Sequence, residues 1–470
     1  MDSHLVSQIE AIVGPKGVIS AEADMEPYLV EERGLYRGQC DLVVRPANTE
    51  EVSKVVALCS ENGISVVPQG GNTGLCGGAV ADGGVILSLA RMNKVCDLDP
   101  LNATLTVEAG VILSNVQSAA EEAGFLFPLS LGAEGSCQIG GNLATNAGGV
   151  NVLKYGNSRD LVLGLEVVLP DGRIWKGLKG LRKDNTGYDL KHLFLGSEGT
   201  LGIITAAVLK LFPLPRAKET ALIALPDLES VAQLLSRTKA LCGDSLSAFE
   251  FISQLAMSLV THHVDGVSDP FEGEHAMYVL LELTSPNEKA DLRADLESLL
   301  EAAFEEGLVE DAVFAESGQQ AESLWNLRES IPEAQKHEGG SIKHDISVPV
   351  SRVAEFIAKA SEAVVAAMPG LRPCPFGHMG DGNIHFNLTQ PEGMDAKEYL
   401  GHWHEMNRIV HDIAVDMGGS FSAEHGVGKL KVDELVHYKD AVEVDLMRTL
   451  KSALDPNNTL NPGKIVDGPK

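Results

Sequence analysis

A chain of 470 residues, 44% hydrophobic and 22% charged, can bury two or three domain cores and has the make-up of an ordered soluble protein, not of a disordered or fibrous one. Its 37 Lys and Arg face 66 Asp and Glu, and the net charge of −29 repels phosphate backbones and anionic membrane surfaces. Nucleic acid is therefore excluded as a partner, and an anionic substrate needs a local cationic pocket.

The first predicted element is a short amphipathic helix striped by Leu5, Ile9, Ile12 and Val13 and ended by Gly14 and Pro15. No basic region precedes an apolar run there, so no leader is expected, and no apolar stretch is long enough to span a bilayer. Seven cysteines (Cys40, Cys59, Cys76, Cys96, Cys137, Cys242 and Cys374) occur without CxxC spacing. Scattered thiols of this kind fit a reducing compartment, and the cytoplasm is the expected location.

Residues 41–46 (DLVVRP) read as a strand, followed by a helix from Thr49 with the stripe Val52, Val55, Val56 and Cys59 that stops at Gly63. A second strand at 64–68 runs into 69–78 (QGGNTGLCGG), a loop with five glycines whose backbone N–H groups can converge on an anion. Two further runs are poor in side chains: 132–150 (GAEGSCQIGGNLATNAGGV), with six glycines, and 196–202 (GSEGTLG). Three such tracts predict one extended ligand lying against backbone. None fits GxGxxG or the Walker pattern, which disfavours a nicotinamide Rossmann domain or a nucleotide hydrolase and calls for a different dinucleotide fold.

Around Pro213, Pro215 and Arg216 the composition changes to long helical patterns, including 228–241 and 289–306, alternating with the strand-like 277–283 (MYVLLEL). The fold class is α+β, with predicted divisions at 1–36 (helical segment), 37–216 (ligand-binding domain), 217–415 (substrate domain) and 416–470. The last segment contains DPNNTLNPGKI with Asn457, Asn461, Pro462 and Gly463, and is expected to dock back on the first domain. The stretch 324–350 carries Arg328, Lys336, Lys343 and two histidines, and is the candidate cationic pocket.

Chemistry concentrates in 377–387 (GHMGDGNIHFN) and 422–428 (SAEHGVG). Gly377, Gly380 and Gly382 argue for a turn leading into a strand from Ile384, on which His385 and Asn387 share one face. The turn can fold His378 back beside His385, and Glu424 can complete a three-ligand metal site with an open position. His425 is then left for proton transfer, provided that Gly426 and Gly428 turn the chain so that both neighbours serve one site. Asp381 and His344 are alternative ligands.

With these residues in view, the chain resembles the flavoproteins of the vanillyl-alcohol oxidase superfamily, in the branch of D-2-hydroxyglutarate dehydrogenase, D-lactate dehydrogenase and the glycolate oxidase flavin subunit. The resemblance rests on QGGNTGL, GSCQIGGNLATNAGG, GSEGTLGI, GHMGDGNIH, AEHGVG and NPGKI in that order, over nearly the whole chain. It implies a two-part FAD-binding domain of that type, an α+β substrate domain and a C-terminal segment docking back. FAD would contact Gly70, Gly71, Asn72, Thr73 and Gly74, then Ser136, Gly140, Gly141, Asn142 and Thr145, and finally Glu198, Gly199 and Ile203. Because the first loop has no histidine and neither Cys76 nor Cys137 looks like an attachment site, the cofactor is expected to be noncovalent.

The resemblance also implies zinc or a similar divalent ion on His378, His385 and Glu424, substrate contacts from Asn387 and His425, and carboxylate binding by Arg328 and Lys343. One departure is Pro332, where some animal members carry a substrate-contacting threonine. The expected reaction is oxidation of a D-2-hydroxy acid, D-2-hydroxyglutarate or D-malate, with His425 as base. The acceptor would be an electron-transfer flavoprotein or a quinone, and a homodimer is compatible with the branch. A D-lactate dehydrogenase or a glycolate oxidase-like subunit would use the same machinery without a second carboxylate site. A flavin-free metallohydrolase would leave the glycine tracts unexplained, and a noncatalytic flavin carrier would leave the metal motif unexplained.

Overall fold

Asn48 opens the helix Thr49–Glu61 by accepting the Glu51 N–H on its side chain at 2.9 Å, and Val52, Val55, Val56 and Cys59 bury one face of it. The computed structural model describes residues 1–468 and divides into two compact units. The first comprises Met1–Gly148, Tyr155–Leu214 and the chain from Glu424 onward; the second comprises Gly149–Lys154 and Pro215–Ala423.

In the first unit, β1 (Val18–Ile19), β2 (Leu42–Val44), β3 (Val66–Gln69) and β4 (Val85–Ser88) form a sheet in the order β1-β2-β4-β3. Both β2 and β3 pair parallel to β4, which requires a crossover, and the helix Thr49–Glu61 supplies it. Strands covered on both faces read as unbroken apolar runs, as in LVV and VILS. There follow β5 (Val95–Asp99), β6 (Thr104–Glu108), β7 (Phe125–Leu126), β8 (Val162–Val168), β9 (Ile174–Gly177), β10 (Ile203–Lys210) and β11 (Phe212–Pro213). Five of them make an antiparallel sheet, β5-β6-β10-β8-β9, while β7 pairs with β11.

The C-terminal segment belongs to this unit, as expected. Leu460 lies parallel to Val66 of β3; Val66 N–H donates to the Thr459 carbonyl at 2.8 Å and Asn461 N–H to the Val66 carbonyl at 2.9 Å. Lys451, on the helix Ala441–Leu454, is buried and holds this arrangement. Its ammonium donates to the Thr200 and Leu460 carbonyls at 2.9 and 2.7 Å and to Asp455 at 2.5 Å. A buried cation with three acceptors is satisfied, whereas removing one partner of such a pair typically costs about 3–5 kcal/mol.

The second unit contains β12 (Ala217–Leu225), β13 (Leu246–Ser253), β14 (Met277–Ser285), β15 (Asp311–Phe314), β16 (Ser341–Ile342), β17 (Asp345–Ser347), β18 (Arg372–Gly377) and β19 (Asn383–Thr389). They form one sheet in the order β15-β12-β14-β13-β18-β19-β16, with β17 also paired to β19. Ile252, Tyr278, Leu280, Cys374 and Phe376 pack on one face with Leu324 and Leu327 of the helix Gly318–Glu329. On the opposite face Phe386 meets Phe356 of the helix Val353–Ala367, with ring centres 5.4 Å apart. Strand alternation then decides where the polar residues go. His385 opposes Phe376 and Asn387 opposes Cys374, so both stand on the first face.

Candidate active site

In the first unit the glycine tracts converge on a cleft with about 1030 Å³ of open space. Gly70, Gly71, Asn72, Thr73 and Gly74 line it, with Gly140, Gly141, Asn142, Thr145, Glu198, Gly199, Ile203 and His425. Backbone must pass close to backbone here: a Cβ on Gly71 would lie 2.1 Å from the Ser136 carbonyl oxygen. Asn72 has φ 56°, a left-handed conformation that asparagine tolerates.

Two of the expected ligand-contact residues also have partners within the protein. Ser136 is exposed and does not line the cleft; its hydroxyl donates to the Ala133 carbonyl at 3.3 Å, and it is its carbonyl that meets Gly71. Glu198 does line the cleft, but its carboxylate accepts the N–H groups of Val427 and Gly428 at 2.7 and 2.8 Å. Burial pushes this carboxyl up, and the two N–H groups oppose the shift. Glu198 also has φ 50°, and its carbonyl receives the Asn461 amide at 2.7 Å. The strain, about 1–3 kcal/mol for such a residue, is thus held in place by the turn that it anchors. That turn carries His425 into the cleft lining, with Gly426 at φ 73° and Gly428 at φ 53°. A Cβ on Gly148 would lie 2.5 Å from the Glu424 carboxylate, so the glycine leaves room for that side chain.

In the second unit the turn before β19 brings His378 beside His385, with ring centres 5.4 Å apart and their ligand nitrogens within 4.8 Å. The glycines of GHMGDGN are needed for this turn. Gly377 has φ 132° and Gly382 φ 93°, and a Cβ on Gly382 would lie 2.3 Å from the Val348 carbonyl. Asp345 of β17 is the cross-strand neighbour of His385, and its carbonyl accepts the N–H of Ala423, after which Glu424 follows in the chain.

Beneath the histidines lies Glu250 of β13, fully buried. Its Oε1 is 2.8 Å from His378 Nδ1, and its Oε2 accepts from Arg328 Nε at 2.8 Å. Burial would raise this carboxyl, but its His378 and Arg328 partners outweigh burial and hold it down at about 2. Since that value lies below the ordinary 4.5, the stabilisation is complete above about pH 4.5 and is lost as pH falls toward 2. Arg328 stacks over Phe376, 4.9 Å from the ring centre, and among the described residues its terminal nitrogens make no hydrogen bond. Asn387 donates its amide to Gln335 at 2.8 Å. Lys343 is half-buried between β16 and β17, whereas Lys336 is exposed and pairs with Glu333.

Of the two alternative ligands, only Asp381 lies near His378 and Glu250. His344 faces the opposite side of β19, with Nδ1 2.8 Å from the Phe386 carbonyl and its ring beside His411. Asp381 accepts the Asn383 N–H at 3.0 Å, and burial pushes its carboxyl up to about 6.

Residues 40–177 match the profile of an FAD binding domain, and residues 214–465 that of the FAD linked oxidases, C-terminal domain. Over 469 residues the chain is 41% identical to a probable mitochondrial D-2-hydroxyglutarate dehydrogenase of Oryza sativa subsp. indica, covering 99% of this chain and 82% of the relative. It is 40% identical to the mitochondrial D-2-hydroxyglutarate dehydrogenase of Arabidopsis thaliana with the same coverage. The chain belongs to the FAD-linked oxidases, in the branch of the D-2-hydroxyglutarate dehydrogenases. The fold of this FAD-dependent dehydrogenase is that of the vanillyl-alcohol oxidase superfamily. The solved 4-ethylphenol oxidase of Gulosibacter chungangensis, 20% identical, superposes with a TM-score of 0.74 over 100% of this chain and 97% of its own.

The cleft of this flavoprotein fits FAD on its own terms. Glu31 Oε1, Gln138 Oε1 and Asn142 Oδ1 are buried in its lining without a hydrogen-bond partner among the described residues, and all three are acceptors. FAD offers hydroxyl and ring N–H donors, which would satisfy atoms that otherwise cost about 1–3 kcal/mol each. The glycine dependence can be tested: Gly71→Ala forces the Ser136 backbone away and is expected to weaken FAD retention roughly 5- to 150-fold. The flavin-to-protein ratio after gel filtration measures it. Glu250, Gln335 and Lys451 were not singled out from the sequence; for Glu250 a signal existed, a lone carboxylate in the apolar strand LSAFEFIS. Among the described residues no helix is long and apolar enough to cross a membrane.

Proposed function

We propose that this dehydrogenase oxidises D-2-hydroxyglutarate, and D-malate with it, to the corresponding 2-oxo acid. The observation that carries the reading is Arg328, held by Glu250 with its terminal nitrogens unengaged on the sheet face that bears His385 and Asn387. A guanidinium oriented by one carboxylate is ready to receive a second, bidentately. The names of the curated relatives point to the same acid.

In this reading Arg328 and Lys343 bind the substrate carboxylates, at least one of them the distal one, and Asn387 contacts the substrate. His378, His385 and Glu424 would hold zinc or a similar divalent ion, which supplies positive charge to the hydroxyl and carboxylate of the acid. His425 accepts the hydroxyl proton as the Cα–H bond breaks. FAD, when bound, supplies the acceptor for the hydride. Noncovalent attachment is supported by the histidine-free first loop and by burial, which raises the Cys137 thiol and keeps it protonated. An electron-transfer flavoprotein or quinone as acceptor, a homodimer and a cytoplasmic setting complete the proposal; for the last, the support is seven cysteines that form no disulfide among the described residues.

Anaerobic titration with D-2-hydroxyglutarate, D-malate, D-lactate and glycolate tests the substrate, the dicarboxylates being expected to bleach the visible flavin absorbance at the lowest concentrations. Chelation of the metal is expected to abolish bleaching while FAD stays bound, because two of the three proposed ligands, His378 and His385, belong to the second unit and the cleft to the first. Zinc should restore activity and magnesium should not, as imidazole ligation requires. Release of flavin together with the metal contradicts this layout.

A further inference from the structure

Glu250 is a carboxylate that touches both halves of the proposed chemistry in the second unit. It stands on β13, on the same face as Ile252, and each of its oxygens has one partner: His378 Nδ1 at 2.8 Å and Arg328 Nε at 2.8 Å. A neutral imidazole carries one ring proton, and an acceptor beside Nδ1 fixes that proton there, leaving the Nε2 lone pair outward. The ring centre of His385 is 5.4 Å away from that of His378.

We propose that Glu250 is a positioning residue that selects Nε2 of His378 as the metal-binding atom and, through its other oxygen, sets the guanidinium of Arg328 toward the substrate carboxylate. The inference rests on the metal reading of His378 given above. It explains why a buried strand otherwise made of apolar and small residues carries a glutamate. It also links two events that otherwise look separate, since one rigid carboxylate sets the geometry of both the metal ligand and the substrate-binding arginine.

The isosteric variant Glu250→Gln separates the two partners by a chemical asymmetry. An amide has one acceptor and one NH2, so it cannot accept from both neighbours. Arginine keeps its protons at any accessible pH, whereas imidazole can move its proton from one nitrogen to the other. The amide oxygen therefore turns to Arg328 and the NH2 to His378 Nδ1, which places the histidine proton on Nε2 and blocks the ligand atom.

Competition of the purified flavoprotein with a zinc indicator measures the result. Glu250→Gln is expected to lower zinc affinity about 10- to 100-fold, as loss of a partner behind a ligating histidine does. Flavin content should be unchanged, and KM for D-2-hydroxyglutarate at saturating zinc should change far less than zinc affinity. His378→Ala is measured beside it. If His378→Ala weakens zinc and Glu250→Gln does not, the role of Glu250 is overturned while the metal site stands. If His378→Ala leaves zinc affinity unchanged, the metal reading itself falls and this inference with it. Should Glu250→Gln fail to fold, NMR of the cadmium-loaded wild-type protein decides. Coupling of the metal to both ring C–H protons of His378 marks Nε2 ligation and supports the proposal, and coupling to one only marks Nδ1 and overturns it.

Discussion

Replacing His425 by Asn is expected to slow flavin reduction at saturating D-2-hydroxyglutarate by about 10²- to 10⁴-fold, the contribution typical of a positioned general base. The amide keeps polarity and most of the volume but cannot take the hydroxyl proton. The effect should be confined to the rate, because the turn that carries His425 is fixed by groups the substitution does not touch: the Glu198 carboxylate holds Val427 and Gly428, and Asn461 bridges the Glu198 and Gly78 carbonyls. FAD content and metal affinity should therefore match the wild type. Stopped-flow reduction under anaerobic conditions separates the cases. An undiminished rate removes His425 from the role of base, and a loss of metal reassigns it as a ligand.

What could be read from the sequence was local in the chain. The glycine tracts signalled close backbone approach because only residues without side chains permit it, and the 2.1 Å distance that a Cβ on Gly71 would have from Ser136 is the physical reason. The placement of His385 and Asn387 on one face followed from strand alternation, and β19 has that register. His344, just before β17, instead lies beside the Phe386 carbonyl and His411. Glu250 was not legible in the same way. It lies 128 positions from His378 and 78 from Arg328, so nothing near it in the chain announces its partners.

The widest consequence for substrate choice lies in Arg328. A charge-assisted hydrogen bond to the distal carboxylate is worth roughly 1.5–3 kcal/mol, or about 10- to 150-fold in kcat/KM. Arg328→Met is expected to erase most of the preference for D-2-hydroxyglutarate over D-lactate, lowering the first by that factor and leaving the second comparatively unharmed. The substitution also strips Glu250 of one partner and leaves a buried carboxylate with His378 alone, so a stability cost of up to about 3–5 kcal/mol accompanies it. For that reason the ratio of the two kcat/KM values is the quantity to measure, at a temperature well below the lowered Tm, because loss of folded protein scales both substrates equally and cancels. Arg328→Lys supplies the intermediate case. Its single ammonium can serve Glu250 or the substrate but has no planar fork with which to hold both, so part of the preference should survive. A ratio unchanged in Arg328→Met, or a wild-type enzyme that turns over D-lactate as well as the dicarboxylic acids, places the distal carboxylate elsewhere and favours a D-lactate dehydrogenase on the same scaffold.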